Sequence, residues 1–181
     1  NPNVPILIKS TISIEGWGML EHMFPNTSIT FSPEFLRAAT ALEDFKNNDK
    51  ILLGGGNTGF WADIFVTAMG KIDIDIATAQ ELILAKYARN SFLALKVAYF
   101  NQINDLCKTL DVDYDKVRQY TTIDNRIGDS HTTITDERGF GGHCFPKDTE
   151  AFVTSSKRVD SNLSILENAI EYNQRIRKGT T

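Results

Sequence analysis

The sequence predicts an α/β segment followed by an all-α segment. Three short apolar runs alternate with helical segments in the first 75 residues, whereas the rest of the chain carries helical patterns only. The 181 residues are 41% hydrophobic and 23% charged, which is typical of a globular protein and not of a disordered one. We therefore predict two domains, residues 1–75 and residues 76–181, with a boundary near residues 70–78.

The first domain is predicted to contain a small parallel sheet. Its apolar runs at residues 4–8, 28–31 and 50–53 are each bounded by Pro, Gly, Asn or Asp, as buried strands are. Predicted helices at residues 15–24 and within 33–45 separate them, and this alternation predicts parallel pairing. About three strands are few for a sheet that needs both faces covered, so we expect a partial sheet.

The second domain is predicted to be helical throughout. Residues 78–110 carry apolar side chains at helical spacing, and Asp113 is a candidate N-cap for a helix that runs to about Tyr120. A long polar loop, residues 121–144, should follow. Pro146 fits the first turn of a third helix that reaches Lys157, and a last helix is predicted over residues 162–178.

Charge and cysteine content exclude several classes of protein. A net charge of −4 argues against sequence-independent binding of nucleic acid or of an anionic membrane. No apolar window reaches the length of a membrane span, and residues 1–3 carry no signal-peptide pattern. Only Cys107 and Cys144 are present, at a spacing that fits neither a zinc motif nor a disulfide scaffold. We therefore expect a cytoplasmic protein without a metal site. Because the first residue is not Met, we expect a trimmed or partial sequence.

A glycine-rich turn at residues 54–59 matches G-x-G-x-x-G between a predicted strand and a predicted helix. That context is the one in which the dinucleotide-binding fingerprint occurs. The strand that should follow, with an acidic residue for the ribose, is replaced by a short run at residues 71–75 that leads straight into the long helix. We favour a packed strand-to-helix turn over a cofactor site.

The most informative stretch is G-F-G-G-H-C-F-P-K-D at residues 139–148. It places the thiol of Cys144 after a flexible glycine loop, at the start of a helix and close to Lys147. Helix N-terminal amides and an ammonium both favour a thiolate, so the pattern is that of a nucleophilic cysteine. A buried cysteine beside an ordinary turn is the alternative. The adjacent His143 is not expected to form a dyad or a metal site with Cys144.

This stretch resembles the signature of the UDP-glucose and GDP-mannose dehydrogenase family, in which G-F-G-G-S-C-F-P-K-D and close variants occur. Further segments match in the family's order, at residues 8–11, 32–37, 86–90 and 124–128. The resemblance implies that residues 1–75 are the C-terminal part of an NAD-binding domain with a partial Rossmann-type parallel sheet. It implies that residues 76–181 form a helical central (dimerisation) domain resembling the C-terminal domain of 6-phosphogluconate dehydrogenase.

The resemblance also implies a chemistry. Family members oxidise the C6 alcohol of a nucleotide sugar to a carboxylate by two hydride transfers to NAD, through a cysteine thiohemiacetal and a thioester. Cys144 would be the nucleophile, Glu34 the base for thioester hydrolysis, and Asp148 a carboxylate that orders water. Lys86 and Asn90 lie one helical turn apart and share a face, so they can stabilise one oxyanion. A solvated lysine and a chance asparagine are the alternative.

The remaining positions are assigned by the same resemblance. The cofactor would contact Ser10, Thr11 and Lys147, with Thr11 also catalytic; the sugar nucleotide would contact Phe35, Leu36, Arg37, Arg126, Phe140 and Gly141. Arg126 would act across a homodimer interface that forms through the long helix. UDP-glucose is the expected substrate and GDP-mannose remains possible.

Departures from the family pattern leave other functions open. Ala38 replaces a usual Glu, Gln102 a usual Glu, and His143 a usual Ser. The first half of the NAD domain and a C-terminal nucleotide domain are expected to lie outside this sequence, so the polypeptide alone should be inactive. A truncated, non-catalytic dimeric binding module is one alternative. An NAD-independent cysteine acyl-transfer enzyme, with His22 or His131 as base, is another.

Overall fold

The computed structural model describes residues 4–36 and 40–178. Within these ranges the elements are β1 (Ile6–Ile8), α1 (Ile14–Met23), β2 (Ile29–Phe31), α2 (Ala41–Lys46), β3 (Lys50–Gly55), α3 (Thr58–Met69), β4 (Asp73–Ala77), α4 (Ala79–Thr109), α5 (Tyr114–Thr122), α6 (Cys144–Lys157) and α7 (Ser164–Lys178). An α/β part precedes an all-α part, so the predicted fold class is confirmed.

The sheet has the order β1-β2-β3-β4 and mixed strand directions. β1 pairs with β2 in parallel, with Ile6 opposite Ile29, and β3 pairs with β4 in parallel. β2 and β3 are antiparallel, with Thr30 opposite Gly55. The prediction of a wholly parallel sheet is therefore wrong at this one pairing. The connection across residues 32–49 is long enough for either strand direction, so the sequence pattern alone does not decide between them.

The fourth strand, β4, corrects the prediction of about three strands. Its sequence alternates acidic and apolar residues, as an edge strand with one solvated face does. The ammonium of Lys50 on β3 lies 3.0 Å from a carboxylate oxygen of Asp73 and 2.7 Å from one of Asp75. The hydrogen bonds that the Lys50 ammonium donates to Asp75 and Asp73 raise its pKa. Backbone pairing with β3 over five residues forms this strand, and its alternating acidic residues kept it from being recognised as a buried run.

The glycine-rich turn between β3 and α3 is required by packing. A Cβ on Gly54 would lie 2.8 Å from the backbone nitrogen of Ala79. Gly55 has φ +98°, and a Cβ there would lie 2.7 Å from the carbonyl oxygen of Ile29 and 2.9 Å from the ring of Trp17. Protein atoms fill the space that these glycines leave, which supports a packed turn at this position.

Contacts divide the chain into two compact units between Lys86 and Tyr87. The division falls within α4 because the helix up to Lys86 belongs to the same unit as the sheet, where Ala79 lies next to Gly54. Thr78 starts α4 with a capping box: its amide donates to a carboxylate oxygen of Glu81 at 2.8 Å, and its hydroxyl accepts from the Glu81 amide at 3.2 Å. The predicted domain boundary at residues 75 and 76 stays a prediction.

The second unit packs α4, α6 and α7 around a small core. Ala94 and Ala98 of α4 contact Phe140 and Tyr172, with partly buried side chains around them. Of the predicted apolar stripe, Tyr87 and Phe100 are buried, whereas Leu93, Val97 and Ile103 are only partly buried. Several small or polar positions of this part of α4 are buried as well, including Ser91 and Asn101. Small residues on α4 let the loop that precedes α6 approach the helix closely.

Helix starts and the long loop agree with the prediction. The carboxylate of Asp113 caps α5 by accepting from the amides of Asp115 and Lys116, and Pro146 is the third residue of α6. Residues 123–143 contain no helix or strand. Side-chain hydrogen bonds hold this loop: the Tyr114 hydroxyl donates to the Thr132 carbonyl at 2.5 Å. Among the described residues, no helix is both long and apolar enough to span a bilayer.

Candidate active site

In the first unit, one edge of the sheet gathers polar groups. β1 and β2 are parallel neighbours, so the residues that follow them emerge at the same edge. Ser10 and Thr11 follow β1, and Glu34 and Phe35 follow β2. A carboxylate oxygen of Glu34 lies 3.2 Å from the Lys9 ammonium, and the other accepts from the Phe35 amide at 3.0 Å.

The predicted sugar-nucleotide segment is only partly described. Phe35 and Leu36 continue from Glu34 at this edge, whereas Arg37 and the departure at Ala38 lie outside the described residues. At this edge the Lys9 ammonium contacts the Glu34 carboxylate, and the two hydroxyl residues Ser10 and Thr11 follow β1. The edge beyond the ends of parallel strands is where α/β sheets bind ligands.

In the second unit, Cys144 is the first residue of α6 and is exposed, whereas Cys107 is buried. The interpretation of Cys144 as a buried structural cysteine is therefore wrong. Residues 139–143, here called the cysteine loop, lead into the helix and include two glycines with positive φ, Gly139 at +58° and Gly142 at +72°. The first amides of α6 lack intrahelical acceptors and favour an anionic group beside them.

A buried carboxylate joins two of the predicted segments. The side chain of Asp148 is 1% exposed, and it lies one helical turn after Cys144 on the same face of α6. One oxygen accepts from the Asn90 side-chain amide at 2.6 Å, and the other accepts from the Lys147 ammonium at 2.8 Å. Asn90 on α4 is thus fixed against the face of α6 that begins with the thiol.

Lys86 precedes Asn90 by one turn on α4, so the two side chains project from the same face of that helix. Lys86 is 7% exposed. The interpretation of a solvated lysine is therefore wrong, because a lysine that is this buried needs polar partners to remain charged.

The cysteine loop is held by side chains that the sequence analysis did not single out. The Asn101 side-chain oxygen accepts from the Gly139 amide at 3.1 Å, and the Asn173 side chain bonds to both the amide and the carbonyl of Phe140. Gly141 lies against the guanidinium of Arg177, where a Cβ would come within 2.8 Å. The sequence signal that could have identified these asparagines is an Asn at a helix position where the hydrophobic periodicity predicts an apolar residue.

An ionic group fastens the residue before the cysteine loop. Asp105 of α4 pairs with the guanidinium of Arg138 and accepts from the Tyr172 hydroxyl at 2.8 Å. Burial acts to raise the pKa of Asp105, but the bonds from Arg138 and Tyr172 hold that pKa below its ordinary value. Burial, and then the bond to Asp105, raise the pKa of Tyr172 to about 12.

Arg126 lies in the exposed turn after α5, and its side chain is 90% exposed. Its guanidinium forks onto the carboxylate of Asp124, with its Nε 3.0 Å from one oxygen and its Nη2 2.5 Å from the other. Hydrogen bonds from Arg126 lower the pKa of Asp124. The Lys96 ammonium donates to the carbonyls of Ile127 at 2.7 Å and Gly128 at 2.9 Å and so ties this turn to α4.

Of the histidines weighed as bases, His131 lies near the start of α6. Its ring centroid is 5.6 Å from that of Phe145, the residue after Cys144. His22 is an exposed residue near the end of α1. Among the described residues, no group of three or more His, Cys, Asp or Glu side chains is arranged to hold a metal ion.

Comparison with known proteins identifies the family of the chain. The profile of the UDP-glucose/GDP-mannose dehydrogenase family, central domain, matches residues 80–175. UDP-glucose 6-dehydrogenase of Rhizobium meliloti is 30% identical over 180 residues, which are 93% of this chain and 41% of that protein. UDP-glucose 6-dehydrogenase AglM of Haloferax volcanii is 34% identical over 151 residues, 80% of this chain and 35% of that protein.

A solved UDP-glucose dehydrogenase from Pyrobaculum islandicum superposes on the chain with a TM-score of 0.81 at 31% identity. The superposition covers 94% of this chain and 41% of that structure. The fold and the cysteine-bearing helix define an oxidoreductase family of nucleotide-sugar dehydrogenases. This chain belongs to the UDP-glucose/GDP-mannose dehydrogenase family, and it spans about 41% of the length of the relative from R. meliloti.

Proposed function

We propose that this chain is the cysteine-bearing part of an NAD-dependent UDP-glucose 6-dehydrogenase that converts UDP-glucose to UDP-glucuronate. The observation that carries the proposal is the 2.6 Å hydrogen bond from Asn90 to Asp148. It joins the 86–90 and 139–148 segments on the face of α6 that begins with an exposed thiol. Relatives named as UDP-glucose 6-dehydrogenases at 30% and 34% identity favour UDP-glucose over GDP-mannose as the sugar nucleotide.

The proposed chemistry divides one difficult oxidation into steps that side chains can assist. The C6 alcohol first loses a hydride and a proton and becomes an aldehyde. The thiolate of Cys144 then adds to this aldehyde, so that a C–S bond forms and the carbonyl oxygen becomes an oxyanion. The Asn90 amide and the Lys86 ammonium donate hydrogen bonds to that oxygen, a stabilisation of about 3 kcal/mol per donor. Asp148 orients Asn90. After oxidation to the thioester, Glu34 takes a proton from the attacking water, and cleavage of the C–S bond returns the thiolate and releases the acid.

The residues of this chain fit part of an NAD molecule. The hydroxyls of Ser10 and Thr11, at the carboxyl edge of β1 and β2, and the half-exposed ammonium of Lys147 have the donor chemistry to bind its polar groups. The turn at residues 54–59 does not fit the pyrophosphate, because protein atoms fill the space beside Gly54 and Gly55. When bound, NAD accepts the hydride of each oxidation.

A homodimer through α4 is part of the proposal. Phe92, Tyr99 and Leu106 are spaced by seven residues on α4 and are 66%, 56% and 53% exposed. This spacing places them on one face of the helix, as in helix–helix interfaces. The dimer would bring Arg126 of one protomer toward the sugar nucleotide bound by its partner, where a guanidinium can fork onto a phosphate. Sedimentation equilibrium of Tyr99→Glu and of the parent tests this homodimer. We expect a dimer for the parent and a monomer for Tyr99→Glu, and a Tyr99→Glu variant that remains a dimer would refute this interface.

The proposal is tested with a chimera in which residues 4–178 replace the matching segment of the P. islandicum enzyme. We expect two NADH per UDP-glucose, and a loss of about a thousandfold or more in Cys144→Ala. Cys107→Ala is the matched control and should retain activity. A folded chimera that uses only GDP-mannose would change the substrate assignment, and one that uses neither sugar would refute the function. NADH production by the 181-residue polypeptide alone would contradict the assignment to part of a longer enzyme.

A further inference from the structure

We infer that Asn101 and Asn173 are positioning residues, which hold the cysteine loop by its backbone at Gly139 and Phe140 and so place the adjacent Gly141, a proposed sugar-nucleotide contact. The catalytic consequence rests on the proposed function, whereas the clamp itself does not. Two asparagines from different helices bond to three successive polar groups of the loop, namely the Gly139 amide, the Phe140 amide and the Phe140 carbonyl.

Asn173 of α7 binds Phe140 as a neighbouring strand would. Its side-chain oxygen accepts from the Phe140 amide at 2.7 Å, and its side-chain nitrogen donates to the Phe140 carbonyl at 2.9 Å. Antiparallel strands exchange the same pair of bonds. Both bonds are buried, and Asn173 is 6% exposed, so water does not compete for them.

Asn101 of α4 fixes the preceding residue from the opposite helix. Its side-chain oxygen accepts from the Gly139 amide at 3.1 Å, and its side-chain nitrogen donates to the Val97 carbonyl at 2.9 Å. The second bond orients the amide group, so that its oxygen faces the loop. At 1% exposed, this side chain fills a core position where an apolar residue would leave the Gly139 amide unsatisfied.

Gly139 closes the clamp because no other residue fits there. Its φ of +58° is in the left-handed region, and a Cβ would lie 2.2 Å from the side-chain oxygen of Asn173. The ring of Phe140 is 3% exposed and packs on Ala94 and Ala98. Backbone bonds, a glycine contact and ring packing together hold the loop at its first two residues, just before the thiol-bearing helix.

Holding the loop matters because substrate contacts require precise placement. A displacement of about 1 Å in a positioned group can cost on the order of a hundredfold in rate. Phe140 was also assigned as a sugar-nucleotide contact, but its ring is buried and both of its backbone polar groups bond to Asn173. The clamp therefore acts on the substrate by placing the adjacent Gly141, the remaining proposed contact of the loop. We therefore assign to the two asparagines an effect on substrate affinity that is separate from their effect on folding.

The clamp is tested by amide hydrogen exchange in the 181-residue polypeptide. In Asn173→Ala, exchange at the Phe140 amide should accelerate at least about tenfold, and in Asn101→Ala exchange at the Gly139 amide should do so, with α5 amides unchanged. Asn168→Ala, an exposed position on the same helix, is the matched control and should leave the loop unaffected. If Asn173→Ala does not fold, Asn173→Leu keeps a similar side-chain volume but has no acceptor for the Phe140 amide, and should give the same acceleration. Unchanged exchange at Phe140 in a folded variant overturns the clamp.

Kinetics of the chimera separate positioning from stability. With Asn173→Ala we expect the KM for UDP-glucose to rise about tenfold or more, with a smaller change in kcat. A purely structural role would lower kcat per total protein with KM unchanged, and that result overturns the positioning role. If the parent chimera is inactive, the proposed function fails, and hydrogen exchange still decides whether the clamp exists.

Discussion

The side-chain amide of Asn90 donates a 2.6 Å hydrogen bond to the carboxylate of Asp148, across 58 residues of sequence. Asp148 is buried, so the bond replaces water that the carboxylate has lost. The same bond fixes α4 against the cysteine-bearing end of α6. A group proposed for oxyanion stabilisation is therefore also a structural group, and its removal should affect both stability and chemistry.

Asn90→Ala should destabilise the polypeptide by about 1–3 kcal/mol, because it removes a donor from a buried carboxylate. Urea unfolding measures the difference. Gln102→Ala, at an exposed position of the same helix, is the control and should change the free energy of unfolding by less than about 0.5 kcal/mol. Equal values for the two variants would show that the Asn90–Asp148 bond does not stabilise the fold.

Gly139→Ala should destabilise the protein more than Gly142→Ala, although both glycines have positive φ. Left-handed backbone alone costs about 1–2 kcal/mol for alanine. Around Gly142 no atom lies within 4 Å of the added Cβ, whereas at Gly139 the Cβ meets Asn173. The clash should add about 1–3 kcal/mol to the loss in the free energy of unfolding. Equal destabilisation by the two alanines would contradict the close contact.

Asp105→Asn should weaken stability in a pH-dependent manner. The pKa of Asp105 is lower in the folded chain than in the unfolded chain, where it is about 3.9. The contribution of Asp105 to the free energy of unfolding is therefore present above the unfolded pKa and is lost as the pH falls through the folded pKa. Since the Asp105 side chain is 40% exposed, we expect Asp105→Asn to lower the free energy of unfolding by no more than about 1 kcal/mol at pH 6.

Urea unfolding from pH 6 to pH 2.5 measures the gap in the free energy of unfolding between the parent and Asp105→Asn. This gap should narrow below pH 4. Asp136→Asn, at an exposed position, is the control for the general effect of removing a negative charge. A gap that widens as the pH falls would give the wrong sign for a lowered pKa.

Arg126→Ala should change the free energy of unfolding by less than about 0.5 kcal/mol relative to the parent, because an exposed ion pair contributes little to stability. In the chimera, however, the KM for UDP-glucose should rise about tenfold, the change that loss of one charge-assisted hydrogen bond gives. Lys116→Ala removes a positive charge from exposed surface nearby and should not change the KM. A KM that is equal in all three proteins would remove Arg126 from the site.

Helix boundaries were predicted from sequence because their signals are local. Asp113 and Pro146 lie at the starts of α5 and α6, as the capping and first-turn preferences require. The direction of β3 was not predictable, since the connection through residues 32–49 permits both directions. β4 was missed because its alternating acidic and apolar residues give no apolar run, although the strand pairs with β3 along its whole length.

Of the candidate site, the sequence motifs identified the groups that we propose carry the chemistry but not those that hold them. Asn101 lies 38 residues from Gly139, and Asn173 lies 33 residues from Phe140. Such bonds depend on how helices pack, and hydrophobic periodicity does not report on a polar side chain that packs inside. The pairing of Asn90 with Asp148 likewise needed the three-dimensional structure.

The proposed oxidation requires Cys144 as the covalent nucleophile, and mass spectrometry of the chimera tests this most directly. With Glu34→Gln slowing hydrolysis, the chimera is mixed with UDP-glucose and NAD, quenched in acid and digested. We predict a UDP-glucuronyl thioester on the peptide that contains Cys144 and none on the peptide that contains Cys107. Full oxidation of UDP-glucose by a Cys144→Ala chimera, with no adduct on any peptide, would contradict the account.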